Sequence, residues 1–385
     1  MNPEPLPIAV LISGGGRSME NLQRAIDRGE LPLRIVLVLS SRADAYGLER
    51  ARRLGLASCV VEKRTHKGPA ELSDVVFGQV RQAGAQLAVL AGYMNLLVIP
   101  DDFAQRVVNI HPALLPSFGG KGMYGRHVHQ AVLERGCKVS GCTVHFADPE
   151  YDTGPIIHQR TCPVLEDDTP DTLAARIFEQ ECRAYPEALA MIAAGRVLID
   201  GRRTRIVPEL PDDAVEAARI FAAFAHRGQS KARSGKPLAE HTAAVASRLQ
   251  QEAGVTDPEV LAAAHLHDVL EDTVADPFQL RRAFGPGVAG LVEQLTVPPQ
   301  AQRDARLKTR TIAQMVARMS EPARLIKLAD RLDNLQDLHQ RPPAQQREKA
   351  EATSQLLEVM EPIPAAGATM ARSMRSLIEP YLPAR

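Results

Sequence analysis

The sequence carries no excess of either charge: 46 basic side chains stand against 46 acidic ones, a formal net charge of +0. Neither nucleic acid nor an anionic membrane is an expected partner, because both call for a basic excess. A small anionic ligand needs only a local cluster of cations. Long apolar runs are also lacking. The most apolar stretch, Leu87 to Ile99, is interrupted by Gly92 and Asn95 and is too short to span a bilayer. The N-terminus, Met1-Asn-Pro-Glu-Pro-Leu-Pro, has no basic n-region and no apolar core, so a secretory signal is not expected. The cysteines Cys59, Cys137, Cys142, Cys162 and Cys182 form no C-x-x-C pair and all lie in the first half. That pattern argues against a zinc cluster and fits reduced thiols in a cytoplasmic protein.

A chain of 385 residues is too long for one small core, and domains of ~100–200 residues make two the natural number. Up to about Val207, short runs rich in Val, Ile and Leu (8–13, 34–41, 58–62, 87–91, 107–110, 143–146 and 156–163) alternate with helical patterns (18–28, 45–54, 69–82 and 172–195). The alternation predicts βαβ units and a mostly parallel sheet, a Rossmann-like α/β fold. Beyond Pro208-Glu-Leu-Pro211 the strand signal fades. Alanine-rich segments of helical period at 215–227, 242–252, 258–269, 277–284, 304–319 and 322–338 predict an all-α domain. The proline-bracketed segment sets the expected domains at 1–208 and 209–385, with Pro298-Pro299 and Pro342-Pro343 as connections between helices.

Two groups of residues carry chemistry. The first strand runs into Ser13-Gly14-Gly15-Gly16-Arg17-Ser18, a glycine turn feeding a helix. Such a turn exposes backbone N–H groups at the positive end of a helix dipole and suits phosphate, although many α/β folds use glycines there only to turn tightly. Further on, Asn109-Ile-His111-Pro-Ala-Leu-Leu-Pro116 follows a predicted strand, and Asp152-Thr-Gly-Pro155 comes later. An amide and an imidazole at the carboxyl end of a strand can face a developing oxyanion, with Asp152 orienting the imidazole, keeping it protonated or receiving a proton through water. The bland alternative is a turn cap at Asn109 and a polar core position at His111.

Residues 8–207 resemble the phosphoribosylglycinamide formyltransferase family. The matching stretches, in order, are Leu11-Ile-Ser-Gly-Gly-Gly16, Ala45-Tyr-Gly-Leu-Glu-Arg-Ala51, Leu90-Ala-Gly-Tyr-Met94, Asn109 to Pro116, Ser140-Gly-Cys-Thr-Val-His-Phe146 and Asp152 to Pro155. The resemblance implies a catalytic trio of Asn109, His111 and Asp152. It implies a substrate phosphate on Gly16, Arg17 and Ser18, and folate between Met94, Asn95, Leu96, Leu97 and the loop 147–152. Glu181 matches a position that contacts the glycinamide substrate. The cosubstrate implied is 10-formyltetrahydrofolate, and the acceptor glycinamide ribonucleotide. Segment 64–73 lacks the family's Ser-Arg-Glu signature, and the loop 118–126 differs from the enterobacterial version. A formyltetrahydrofolate deformylase would carry a regulatory domain ahead of Ile8, and a methionyl-tRNA formyltransferase a basic C-terminal barrel, so both are disfavoured.

The second group is His265-Leu-His267-Asp268-Val-Leu-Glu271-Asp272-Thr273, with His241 before it and Lys327-Leu-Ala-Asp330-Arg-Leu-Asp-Asn334 after it. His267-Asp268 is expected on a helix. His241 and Asp330 come from other predicted helices, and two imidazoles with two carboxylates suit Mn²⁺ or a similar divalent ion. In the helix 323–338, Asp330, Asp333, Asn334 and Asp337 share a face, a pattern that also fits a solvated flank. Glu271 and Asp272 can position or deprotonate a water, or merely close a helix.

Residues 215–338 resemble the HD-type hydrolase domain that degrades the alarmone (p)ppGpp, through Ala225-His-Arg-Gly-Gln229, Lys231 to Gly235, His241, Leu266 to Thr273, Phe284-Gly285 and Leu325 to Leu335. The resemblance implies metal ligands His241, His267, Asp268 and Asp330, catalytic acids Glu271 and Asp272, nucleotide contact by Asn334, and phosphate contacts by Lys231 and Arg233. Where the family has Pro-Tyr-Ile, a proline after the ligand histidine and a leucine in the His-Asp motif, this chain has Pro237-Leu-Ala239, Thr242 and His265. The expectation is a bifunctional cytoplasmic enzyme, a monomer or a homodimer, acting on glycinamide ribonucleotide, folate and a guanine nucleotide. The alternatives make the second half a non-catalytic metal- and nucleotide-binding regulatory module or a dimerisation element.

Overall fold

The structure, a computed structural model, describes residues 4–230, 235, 237–302 and 304–382. It divides into two compact units that part between Ile206 and Val207.

The first unit is α/β. In chain order it runs β1 (Leu6–Ile12), α1 (Arg17–Asp27), β2 (Leu33–Ser40), α2 (Tyr46–Arg53), β3 (Ser58–Val60), α3 (Pro69–Gln82), β4 (Leu87–Leu90), β5 (Val107–His111), α4 (Arg126–Glu134), β6 (Val139–Phe146), β7 (Ile156–Pro163), α5 (Pro170–Ala193), β8 (Val197–Asp200) and β9 (Arg203–Ile206). β1 to β7 form one sheet of order β3-β2-β1-β4-β5-β6-β7. The pairs up to β5 are parallel, and β6 and β7 are added antiparallel. β4 is buried throughout and β1 nearly so, as parallel strands covered on both faces require.

The order of connection reverses at β1, which lies between β2 and β4, and a crevice opens there at the carboxyl ends of the strands. Gly16 makes the exit from β1 possible. Its φ is 70°, and a Cβ on it would stand 2.7 Å from Gly47 Cα. The turn therefore passes against the start of α2 with no room for a side chain, and α1 begins at once.

α5 locks the crevice from one side. Tyr185 donates its buried hydroxyl to Leu90 O at 2.9 Å, with Val108 O at 3.1 Å, so the helix is tied to both β4 and β5. Pro186 sits inside this helix and has no N–H for the carbonyl of Cys182. Asn21 on α1 supplies the missing donor, its Nδ2 lying 2.9 Å from Cys182 O. α1 and α5 are thereby joined beside Glu181.

The second unit is helical: α6 (Ala214–Ala225), α7 (Leu238–Ala253), α8 (Pro258–Leu266), α9 (Val269–Asp272), α10 (Pro277–Leu295), α11 (Pro299–Gln302), α12 (Ala305–Val316), α13 (Glu321–Leu335), α14 (Pro343–Val359) and α15 (Ala368–Ile378). α8 packs against α6, α7, α10 and α13, and its residues from Val260 to Leu266 are all buried. A helix apolar all round belongs at the centre of a bundle.

Both fold classes agree with expectation, but several elements do not. The single helix expected at 258–269 is two. α8 stops at Leu266 and α9 restarts at Val269, so His267 and Asp268 occupy the break rather than a helix face. The His267 ring bonds Ala264 O at 2.8 Å through Nδ1, and Asp268 O accepts from the N–H groups of Glu271 and Asp272. The helix expected to stop at 284 runs on to Leu295 across a kink at Gly285-Pro286, where the φ of 80° and the missing proline N–H break the ladder without ending the element. α4, α14, α15 and the β8–β9 hairpin were outside the expected elements. The hairpin strands are four residues each and one reads Arg-Thr-Arg-Ile, too short and charged to signal a strand.

Asn21→Ala is expected to destabilise the first unit by about 1–3 kcal/mol, because the Cys182 carbonyl loses its donor. In a Pro186→Ala background residue 186 regains an N–H, and the same substitution should cost roughly half as much or less. Urea unfolding of the four proteins measures both; equal costs in the two backgrounds would sink this account of the α1–α5 junction.

Candidate functional site

The first site collects at the carboxyl ends of β1, β4 and β5. A cavity of about 750 Å³ is lined by Arg17, Ser18, Met94, Asn109, His111 and Glu181, among others. A smaller one of about 60 Å³ is lined by Asn95, Leu96, Leu97, His145 and Asp148. Tyr93, Asn109, Tyr151 and Asp152 belong to both walls. Gly16, Arg17 and Ser18 stand at the start of α1 and line the larger cavity, so a helix N-terminus borders it. The segment after β4 is held by Ser13, whose hydroxyl accepts from Met94 N at 2.9 Å.

Asn109, His111 and Asp152 come together. Asp152 Oδ2 lies 3.5 Å from His111 Nδ1 and accepts from Gly120 N at 3.0 Å, while Asn109 Nδ2 lies 3.5 Å from Asp152 Oδ1. His111 Nε2 is 2.8 Å from Phe118 O. Each ring nitrogen thus faces an oxygen acceptor. The backbone is strained to do this: Asp152 and Phe118 both have positive φ, at 60° and 55°. The loop that carries Asp152 can lie against β6 only because residue 154 is glycine, where a Cβ would come within 1.8 Å of Phe146 O.

His145 is the residue sequence reasoning left without a role. Burial pushes its imidazole down from the ordinary value, so it is neutral, and its Nδ1 donates to Phe146 O at 2.8 Å. Nε2 is left as an acceptor, 3.2 Å from Asn109 Nδ2, and turns the amide toward the site. The signal available was a histidine between Val144 and Phe146 in an apolar strand. Glu181 is pushed up to about 7 by burial, against the pull of the Arg17 guanidinium. Arg17 itself lies over the Phe178 ring, 4.0 Å from its centroid.

The second site gathers on α7, α13 and the α8–α9 break. One ligand atom each from His241, His267 and Asp330 lies within 4.8 Å of the others. Asp268 Oδ2 is 3.1 Å from His267 Nε2 and 3.7 Å from His241 Nε2. His241 Nδ1 is 2.6 Å from Asp333 Oδ2, and His267 Nδ1 is bonded to Ala264 O, so both rings present Nε2 to the same point. His267 Nε2 is buried with no hydrogen bond. Two imidazoles fixed from behind, with carboxylates on the remaining sides, match the donor set and outer hydrogen bonds of a divalent transition-metal site.

The acidic face of α13 is not a solvated flank. Asp330 is buried, receives Lys327 Nζ at 2.9 Å and Asn334 Nδ2 at 2.5 Å, and is held well below the usual carboxylate range. Burial opposes charge on His241, but the carboxylates of Asp330 and Asp333 outweigh it and push the imidazole up to about 9. Glu271 and Asp272 line a cavity of about 420 Å³ beside this cluster, and burial raises both. Asn334 and Leu238 line it too, Leu238 standing where the resembled family has an aromatic. Asp333 and the buried Lys327 were missed as site residues. Lys231 and Arg233 lie outside the described residues.

Comparison with known proteins follows this division. The formyl transferase family model matches residues 6–189, and the HD domain model matches residues 218–359. A chloroplastic phosphoribosylglycinamide formyltransferase of Arabidopsis thaliana is 39% identical over 202 residues, 51% of this chain and 68% of that one. The phosphoribosylglycinamide formyltransferase of Haemophilus influenzae is 35% identical over 192 residues, 49% of this chain and 88% of its own. The crystal structure of glycinamide ribonucleotide transformylase 1 from Symbiobacterium toebii superposes with a TM-score of 0.50 at 42% identity, covering 53% of this chain and 94% of that one. The chain belongs to the phosphoribosylglycinamide formyltransferase family through its first unit, and carries an HD domain in its second.

Proposed function

We propose that the chain is a bifunctional enzyme. The first unit transfers the formyl group of 10-formyltetrahydrofolate to the amine of glycinamide ribonucleotide. The observation that carries this reading is the meeting of Asn109, His111 and Asp152 at the larger cavity, where Asn109 and Asp152 also form part of the wall of the adjoining smaller one. The substrate phosphate binds the N–H groups of Gly16, Arg17 and Ser18 in the larger cavity, with Glu181 receiving the glycinamide end. The folate enters between Met94, Asn95, Leu96, Leu97 and the loop that ends at Asp152. The amine nitrogen attacks the formyl carbon, and Asn109 and His111 donate to the oxyanion that forms. Asp152 takes the proton from the amine, the bond from carbon to the folate nitrogen breaks, and that nitrogen leaves with a proton.

The second unit hydrolyses a (p)ppGpp-like guanine nucleotide, releasing pyrophosphate. His241, His267, Asp268 and Asp330 would hold Mn²⁺ or a similar ion, which when bound supplies Lewis-acid polarisation of the phosphate and an acidified water. Glu271 and Asp272, on the wall of the cavity beside the cluster, orient the attacking water and take its proton, and Asn334, on the same wall, reaches the nucleotide. The leucine at position 238 favours a second reading, a module that binds metal and nucleotide without turnover, since it removes a stacking surface.

Asp152→Asn is expected to lower kcat for formyl transfer by about 10²–10⁴-fold with KM for glycinamide ribonucleotide nearly unchanged; a change in KM alone would remove Asp152 from the proton path. Glu181 ionises near pH 7, so its carboxylate accepts the substrate's N–H groups above that pH and loses them below. The KM ratio of Glu181→Gln to wild type should therefore grow as pH rises from about 6 to about 8; a flat ratio contradicts the assignment. For the second unit, Glu271→Gln/Asp272→Asn should abolish Mn²⁺-dependent pyrophosphate release from ppGpp while leaving bound manganese unchanged. If the wild type binds ppGpp tightly and releases nothing, the binding-module reading replaces hydrolysis.

A further inference from the structure

Asp152 rides on the loop between β6 and β7. Both ends of that loop are fixed by backbone bonds: Phe146 N donates to Pro155 O at 2.9 Å, and Ala147 N to Val107 O at 2.8 Å. Between them Asp152 stands at a φ of 60°, a conformation that a side chain disfavours and that surrounding contacts must impose. Its neighbour Thr153 is gripped on two sides. The Thr153 hydroxyl donates to the Asp148 carboxylate, 2.6 Å from Oδ1 and 2.8 Å from Oδ2. The Thr153 carbonyl accepts from Arg202 Nη2 at 2.7 Å. Asp148 is fixed in turn, since its Oδ1 also accepts from Glu150 N at 3.1 Å. Arg202 comes from the tip of the β8–β9 hairpin, where Gly201, at a φ of 60°, makes the tight turn between Asp200 and Arg203. Thr204 seats the hairpin on β7, its hydroxyl donating to Ile156 O at 2.6 Å.

We propose that Asp148 and Arg202 are positioning residues for formyl transfer and act through Thr153. Held at its hydroxyl and at its carbonyl, Thr153 fixes the peptide that follows Asp152. The Asp152 carboxylate is thereby kept between the Gly120 N–H, the Asn109 amide and the His111 ring. A group that meets a transferring proton tolerates little displacement: misplacement by about 1 Å costs on the order of a hundredfold in rate. The β8–β9 hairpin thus has a part in the chemistry, as the support from which Arg202 reaches the loop. The proposal rests on the reading of Asp152 as the proton acceptor, and its test tells the two apart.

Formyl transfer to glycinamide ribonucleotide is measured on the full chain. Thr153→Val keeps the shape of the side chain and removes the hydroxyl. It should lower kcat by about 10–100-fold with KM for glycinamide ribonucleotide nearly unchanged, and Asp148→Ala, which removes the other end of the bond, should fall in the same range. Thr153→Ser keeps the hydroxyl and should recover most of the rate. Arg202 is exposed, so its replacement does not threaten folding. Arg202→Ala should lower kcat by about 3–10-fold, and Arg202→Lys, which keeps a donor, should restore part of that loss. A cycle with Asp152→Asn separates positioning from loop stability alone. With the carboxylate gone, Thr153→Val should cost less than about a further twofold. Equal costs in the two backgrounds, or wild-type rates in both Thr153→Val and Arg202→Ala, would overturn the proposal and leave Asp152 its role. Wild-type kcat in Asp152→Asn itself would overturn both.

Discussion

A carboxylate drawn out of water must be held by donors, and both units are organised around one. In the first unit it is Asp152, met by the Gly120 N–H, the Asn109 amide and the His111 ring. In the second it is Asp330, met by Lys327, Asn334 and His241. Coulomb attraction and hydrogen bonding strengthen as water is excluded, so a carboxylate in such a place either completes its shell or costs several kcal/mol. The surrounding irregularities follow from that demand. Asp152 and Phe118 accept positive φ, Gly154 gives up its side chain, and the α8–α9 helix breaks at His267-Asp268.

The regular scaffold supplies the positions. In the first unit the connection reversal at β1 opens the crevice, the Gly16 turn starts α1 beside it, and the Tyr185 hydroxyl pins α5 beneath two strand ends. In the second, α8, buried from Val260 to Leu266, acts as a central post, and its abrupt end delivers His267 and Asp268 to the face of α13. His145 and Asp333 play parallel parts: each holds a site residue from behind, His145 the Asn109 amide and Asp333 the His241 ring.

Much of this was legible in the residues. Short apolar runs alternating with helical segments gave the α/β class and the 3.6-residue period the all-α class, and the glycine turn, the Asn109-to-His111 segment and the His267-Asp268 pair marked the sites. What escaped has a physical reason in each case. The His267 break depends on a ring-to-carbonyl bond that no local propensity encodes. The α10 kink reads as a stop because glycine followed by proline breaks the ladder, while tertiary packing carries the helix onward. The acidic face of α13 also fitted a solvated flank, although Asp330 was named as a metal ligand, because its burial is produced by α7 and α8, far away in sequence.

The central claim is that one chain holds two independent chemistries, one that needs no metal and one that does. The most direct test assays both on a single EDTA-treated sample, before and after Mn²⁺ is restored: formyl transfer from 10-formyltetrahydrofolate to glycinamide ribonucleotide, and pyrophosphate release from ppGpp. The account predicts full formyl transfer throughout and pyrophosphate release only with Mn²⁺. Formyl transfer that disappears with the metal, or pyrophosphate release that is absent with Mn²⁺ present, would contradict it.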